Sequence, residues 1–586
     1  MKSNMKIENK REQSQTRLSF AEREQFPGRS RKKRFLIYFT LALPLLFACE
    51  DYLEKEPHDK VTDAAVWNDE ALIEAYINGL YNYLGIPGGR NNIVTGVTER
   101  LTEECWSDNA QHCGGFFMDI HNITLGNYTS ADNFGFTFDD IRHANVAIKN
   151  IPESTTIDES KKELFLAQAY FFRAYFYSQK VKYFGGLPII DKPLTQNDEL
   201  NLPRNTVEEC YDFIIADLKK AADALPVEWP AGELGRVTKG AALCLKSRVE
   251  LYAGKYTEAA KTCEEAMKLG YDLHPDYGEL FNKREPYKTS KEVLMVMQFK
   301  DPERAHYLEL HQNPNRGLQI YGWGAACPTQ DLVDEYFVVD NDGVARRWQE
   351  SKTFTDNFPA MGTHAMWLNR DKRFYATVLY DSTYIEYPGA KQCLIMTVGH
   401  PLGYLATGDG QHLSQTGYYP AKFKYMKDQA TKIPNYASGP TDVHWIMFRY
   451  AEVLLNYAEA LIYSGRESEA LAPLNKIRDR AGLPPLTNTA NIEANYKRER
   501  RLELAFECHR YWDLVRWARK DKVGIPELNR PKKRIRIAMN RMSYTIEPSP
   551  QAHYQDNFQT PKRYWFPIPF DEIIKNPKLT QNPGWE

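Results

Sequence analysis

Acid–base chemistry in this chain would have to start from Glu103, Glu104 and Asp108, the nearest approach to a catalytic pair of carboxylates. The chain holds 77 acidic residues, so closeness in sequence carries little meaning by itself. Nucleophilic and phosphoryl chemistry have no foothold, because there is no GxSxG elbow, no GxxxxGK loop and no HExxH. His112 and His121 lie near Cys113, but the 13 histidines do not fall at metal-ligand spacing and there is no CxxC. No catalytic residue, cofactor or metal is therefore expected.

Binding needs only shape, stacking and hydrogen bonds, and for that the chain is well supplied. It is 13% aromatic, with 36 Tyr and 11 Trp. Sugar rings present C–H faces that lie on Trp or Tyr, an apolar body with a polar edge. Asp, Asn and Arg bind the hydroxyls. Residues 103–134 supply Trp106, Asp108, Asn109, Phe116, Phe117, Tyr128 and Phe134 in a loop-like stretch. Tyr321-Gly322-Trp323-Gly324 sets two aromatics among glycines, which hold backbone open around a flat ligand. Trp106 and Trp323 are expected to meet on one face and stack on one ligand. Tyr321, Phe117, Trp367, Asp108 and Asn109 complete the expected set.

Those loops need a scaffold, and the sequence reads as helical on both sides of them. Helical periodicity covers Ala71 to Leu84, Asp139 to Ile151, Lys161 to Phe184 and Val207 to Leu225. Thr238 to Ala253 and Thr257 to Leu269 follow, joined by Gly254-Lys255, and Phe448 to Tyr463 with Ser468 to Ala481 repeats that hairpin. Tyr252 to Ala260 aligns with Tyr463 to Leu471 at a constant offset of 211. In each copy a helix stops at a Gly, suited to a left-handed cap, and the next brings Ala to its packing face. This is the logic of a tetratricopeptide-type hairpin stack. Phe165, Phe172, Phe176 and Tyr183 read as a core stripe. Glu452, Glu459, Glu499, Glu503 and Glu507 read as a charge network tying helices together. Residues 271–447 differ in texture, being rich in Gly, Pro, Asn, Asp and aromatics. Glu292 to Met297 and Tyr375 to Tyr380 look like short strands in a loop-rich region on the helical scaffold.

The first 48 residues read as an address. Arg29 to Arg34 is basic, and Phe35 to Ala48 is an uncharged run of 14 residues, about 21 Å as a helix against a bilayer core of about 30 Å. With Leu46-Phe47-Ala48-Cys49 this resembles a bacterial lipoprotein signal, in which Cys49 is lipidated. Residues 1–48 hold 11 Lys/Arg against 4 Asp/Glu, which leaves the remainder at −9. An acidic mature chain argues against a nucleic-acid partner. Cys244 and Cys263 fall in helical patterns and read as core, while Cys105 and Cys113 are close enough in sequence to pair.

Several longer motifs resemble the SusD/RagB family of outer-membrane lipoproteins. Cys49-Glu50-Asp51-Tyr52-Leu53-Glu54 with Pro57 looks like its mature N-terminus. Gln168 to Tyr175 leading to Tyr183-Phe184-Gly185-Gly186-Leu187-Pro188 looks like its central helix. Arg449 to Ala460, Glu499 to Glu507, His509 to Arg516, Phe566-Pro567-Ile568-Pro569 and Gln581-Asn582-Pro583-Gly584-Trp585 are the most specific matches. Cys508 stands where the family generally has Gly. The resemblance implies a mainly α, tetratricopeptide-like SusD fold over residues 49–586, with helices over about 60–270 and 448–520 and a ligand side over about 271–447. It implies ligand loops in the same two neighbourhoods that hold Trp106 and Trp323. It also implies a lipid-anchored outer-membrane protein facing the exterior, which binds oligosaccharide and delivers it to a SusC-like TonB-dependent transporter. Peptide ligands in the same role are the alternative; a cell-surface glycan-degrading enzyme and a protein-binding scaffold stand further off.

Overall fold

A computed structural model describes residues 66–84, 101–112, 136–300, 303–314, 322–387, 390–403, 405, 413–425, 441–549 and 558–586. Cys49, Cys113, Phe116, Phe117, His121, Tyr128, Phe134 and Tyr321 lie outside the described residues. Contacts divide the chain into Met1–Thr62 and Asp63–Glu586, and every described residue belongs to the second unit.

The scaffold helices are α1 (Glu70–Asn82), α2 (Asp139–Asn150), α3 (Glu159–Phe184), α4 (Val207–Ala224), α5 (Lys239–Tyr252), α6 (Tyr256–Met267), α7 (Tyr450–Tyr463), α8 (Leu471–Ala481), α9 (Ile492–Glu503) and α10 (Arg510–Asp521). Each of α2 to α8 packs against the next in the chain. Local chemistry sets their ends. Asp158 caps α3 by accepting from the Lys161 N–H, and Thr206 with Glu209 forms a reciprocal capping box on α4. The apolar stripe of α3 is buried as its spacing predicts, with Phe165, Phe172, Phe176 and Tyr183 all in the core. Phe171, Tyr175 and Tyr177 are buried too, so α3 is covered on nearly every side. It ends at Gly185-Gly186, where a Cβ on Gly186 would sit 2.1 Å from the Asn205 carbonyl oxygen.

The two repeated hairpins are α5–α6 and α7–α8. Gly254 and Gly465 take φ values of 71° and 77°, the left-handed region their sequence position requires. The hairpins also pack on each other, through Ala259, Ala260 and Ala460 with Leu251. The small residues let α6 and α7 approach closely, although 182 residues separate them in the chain. One boundary differs from expectation: α8 begins at Leu471 rather than Ser468, because residues 467–470 form a turn.

β1 (Ala110–His112) lies between α1 and α2, and the segment between α6 and α7 contributes β2 (Val293–Met297), β3 (Ala326–Pro328), β4 (Tyr384–Tyr387) and β5 (Trp445–Arg449), with short helices between. β2 pairs antiparallel with β5. The loop-rich stretch is thereby closed at its base, beside α5 and α7. The strand expected over Tyr375 to Tyr380 is instead a helix, Lys372–Thr377, followed by two extended residues. The Asp371 side chain accepts from the Arg373 N–H and starts that helix.

Beneath this region lies a buried ion network. Arg449 pairs with Glu292, Glu503 and Glu507; Arg480 with Glu292 and Glu503; Arg373 with Asp371, Glu499 and Glu503. Arg478 pairs with Glu499 and Lys422 with Glu507. A second set joins Glu459 to Arg516, and Asp513 to Arg500 and Arg516. Glu452 meets Arg248 from α5. The helix-tying network expected from the glutamate spacing is present.

Candidate functional site

The carboxylates nearest to a catalytic pair are interior groups. Glu103, Glu104 and Asp108 are each no more than 3% exposed. Glu103 accepts from the Trp512 indole at 3.0 Å and from the Tyr183 hydroxyl. Burial pushes its carboxyl up to about 7, against the pull of Lys182. Glu104 accepts from the Asn109 amide at 2.7 Å and the Cys508 N–H at 3.1 Å. Burial would raise Asp108 as well, but Arg501 and Arg510 hold it well below the usual carboxylate range. Glu103 faces an interior cavity of about 70 Å³ that has room for a few waters rather than a sugar.

The same segment corrects the expected aromatic platform. Trp106 is 4% exposed and packs edge-on to Tyr511 and close to Phe566, at centroid distances of 5.4 and 5.6 Å. Its indole is core, so Trp106 and Trp323 form no shared surface. Asp108 is taken by Arg501 and Arg510, and Asn109 by Glu104 and Arg501. These polar residues read as loop because their partners lie about 400 residues away. Trp367 is likewise buried, stacked on Phe374 and tilted on Tyr380.

Trp323 is different, being only partly buried. Its N–H bonds to the Leu310 carbonyl at 3.0 Å, and the neighbouring Gly324 and Ala325 N–H groups bond to Asn313 and His311. A Cβ on Gly322 would lie 2.1 Å from the Asn313 carbonyl oxygen, so only glycine lets the backbone approach this closely. The indole meets the edge of the His311 ring at 5.1 Å. β1 and β3 pair directly behind it, and the His112 ring nitrogen contacts the Ala325 carbonyl at 2.9 Å. The result is an aromatic ring on a shelf fixed by backbone hydrogen bonds.

A cleft of about 780 Å³, within the range of small-molecule sites, is tied to the shelf through Lys424. Its wall carries Tyr277, Tyr375, Tyr384 and Tyr425, with Glu279 and Lys424 among the polar groups. Tyr384 on β4 is 56% exposed and Tyr375 41%. The Tyr375 hydroxyl donates to the Trp367 carbonyl at 2.5 Å, which fixes its ring and gives Trp367 a place behind the wall. Tyr277 forms the floor: its hydroxyl donates to the Glu503 carbonyl and accepts from the Lys422 ammonium. Arg480, also lining the cleft, belongs to the buried ion network, so the network holds this floor in place.

Lys424 joins shelf and cleft. Its backbone N–H donates to Asn282 at the cleft, and its ammonium reaches the Gln312 carbonyl beside the shelf at 3.3 Å. Burial pulls that ammonium down to about 7, with Glu309 opposing. Glu309 in turn accepts from the Tyr425 N–H at 2.9 Å and from Thr441. Tyr375, Tyr384, Tyr425 and Lys424 were not among the residues singled out from sequence. The motif Tyr321 to Gly324 pointed to this neighbourhood, but nothing distinguishes these tyrosines among 36 until the fold places them. Among the described residues no group of three His, Cys, Asp or Glu is disposed to hold a metal ion.

Comparison with known proteins agrees with this architecture. A family model described as the SusD family matches residues 291–585, and one described as starch-binding associating with outer membrane matches residues 51–251. A SusD-like protein P2 of Formosa agariphila is 26% identical, covering 94% of this chain and 100% of its own length. A SusD-like protein of Bacteroides fragilis has a solved structure that superposes with a TM-score of 0.74 at 28% identity, covering 90% of this chain and 100% of that one. A SusD-like carbohydrate-binding protein of the same organism gives 0.72 at 25% identity, covering 88% and 100%. With the family pattern matched over half the chain and the helical scaffold shared over nearly all of it, the chain belongs to the SusD family.

Proposed function

We propose that this protein binds oligosaccharide on the Trp323 shelf and in the tyrosine cleft, without turning it over. The observation that carries the reading is the shelf itself. An aromatic ring is held half-open by glycine-dependent backbone bonds, and Lys424 ties its shelf to a cleft walled by exposed Tyr375 and Tyr384. Fixed rings suit the C–H faces of sugars, because little side-chain entropy is lost when a ligand stacks on them. Membership of the SusD family, and a relative named as carbohydrate-binding, support the ligand class. The three carboxyls that came nearest to a catalytic arrangement are buried and paired, which supports binding over hydrolysis.

The same reading extends to place and partner. Cys49 is the lipidated residue that anchors the protein to the outer membrane, facing outward, and a SusC-like TonB-dependent transporter receives the ligand. The test is incubation of the purified protein with a panel of neutral and acidic glycans and peptides. Retention of a glycan with no change in its chain length supports the proposal. Depletion of the glycan makes the protein an enzyme, and retention of peptides alone overturns the ligand class. Co-purification with a transporter after gentle extraction from native membranes tests the partner, and a lone monomer there contradicts it.

A further inference from the structure

We propose that a groove between α9, α10 and the turn at residues 523–530 binds an oxyanion, the carboxylate of an acidic sugar or a sulfate ester. The groove measures about 430 Å³. Five guanidinium groups line it, those of Arg347, Arg498, Arg501, Arg510 and Arg530. Fewer carboxylates meet them. Asp108 takes Arg510 at 2.9 Å and Arg501 at 3.0 Å. Glu335 takes Arg498 at 3.0 Å and Arg347 at 3.7 Å, with Arg501 at 3.9 Å. Arg530 lies 3.3 Å from Asp331. Among the described residues on the wall, Lys497 is paired with Glu493 and Asp521 with Lys520, and Glu527 acts on Arg510, which leaves five guanidiniums against the four carboxylates of Asp108, Glu335, Asp331 and Glu527.

Geometry adds to the count. A guanidinium presents two edges to an oxyanion, and the Glu335 partners use only part of theirs. Arg498 gives its Nε to Glu335, and Arg347 reaches it with one terminal nitrogen. Arg501 and Arg510 have side chains 7% and 9% exposed, so two nearly dry cations share Asp108. Burial pulls the Arg501 guanidinium below its ordinary value and the Arg510 charge adds to this, with Asp108 first and then Glu335 and Asp331 opposing. An added anion relieves that crowding.

The test is direct titration of the native protein, by calorimetry at fixed ionic strength, with sodium sulfate, sodium glucuronate and glucose. Saturable binding of sulfate or glucuronate, none of glucose, and weakening with added chloride are expected. Tighter glucuronate points to acidic sugars, and tighter sulfate to sulfate esters. The double variant Arg347→Gln/Arg498→Gln should weaken the anion about tenfold or more, since charge-assisted bonds are lost. Arg530→Gln, at a half-exposed position where Asp331 keeps the Lys533 N–H as a partner, should weaken it at a small stability cost read from a melting curve, which guards against a double variant that misfolds. Absence of saturable binding of both anions, or equal binding by all variants, overturns the proposal.

Discussion

Glu503→Gln isolates the contribution of the buried network to the scaffold and to the cleft floor. Glu503 is fully buried, accepts from Arg449 at 2.6 Å and from Arg480, and faces Arg373 at 3.4 Å. Around it, Arg373, Arg449, Arg478, Arg480 and Lys422 balance Asp371, Glu292, Glu499, Glu503 and Glu507, five charges against five. The glutamine keeps the shape and leaves one buried positive charge uncompensated, which costs about 3–5 kcal/mol. Adding Arg480→Gln restores four against four, so the double variant should be less destabilised than the sum of the singles by about 1–3 kcal/mol. Burial would raise the Glu503 carboxyl, but Arg480, Arg449 and Arg373 hold it below its ordinary value. A carboxyl depressed in the folded state adds stability above its unfolded pKa of about 4.3 and loses it as pH falls toward the folded value. The gap between wild type and Glu503→Gln should therefore be full at pH 7 and narrow below about pH 4. Denaturant midpoints followed by tryptophan fluorescence across pH, converted to free energy with the fitted slope, measure all of this. A single-variant cost under about 1 kcal/mol, or strict additivity, would refute the reasoning.

Gly322→Ala forces a Cβ against the Asn313 carbonyl and should displace Trp323, losing ligand affinity at a stability cost of about 1–3 kcal/mol, read by titration beside a melting curve. Cys508 holds φ at 63° and is buried, so Cys508→Gly relieves about 1 kcal/mol of backbone strain and gives up a similar amount of packing. A net change within about 1 kcal/mol is expected by denaturant melt, and a larger loss would show the thiol to be a packing element. Glu459, lowered to about 2 by Arg516 and Arg500 against burial, adds stability above about pH 4 that fades toward pH 2. Glu459→Gln should remove that part of the acid-unfolding curve. Cys49→Ala should leave the protein unprocessed or release it from the membrane fraction, and a lipid-free mature N-terminus elsewhere by mass spectrometry would contradict lipidation.

What was legible in the sequence is what depends on near neighbours. The offset repeat rests on Gly254 and Gly465 at helix ends and on alanines that must face a partner helix, and both reappear as caps and as the α6–α7 contact. The glutamates spaced by four declared a network, but Glu292, Asp371, Arg373 and Lys422 enter it from far along the chain. Trp106 misleads for the same reason. Its neighbours Glu103, Glu104, Asp108 and Asn109 look solvated until Arg501, Arg510 and Trp512 arrive to pair with them. Trp323 could be singled out because the glycines on either side of it serve a local backbone purpose. Tyr375 and Tyr384 could not, since their exposure follows from where a helix and a hairpin come to lie, not from their spacing.

The most direct measurement is a calorimetric titration of a retained glycan into wild type, Trp323→Ala and Tyr384→Ala, with chain length followed in the same samples. A stacked aromatic contributes about 0.5–1.5 kcal/mol beyond its area, so each variant should weaken binding up to about tenfold with the glycan intact. Wild-type affinity in both variants, or shortening of the glycan by wild type, would contradict an aromatic binding surface that holds its ligand without cutting it.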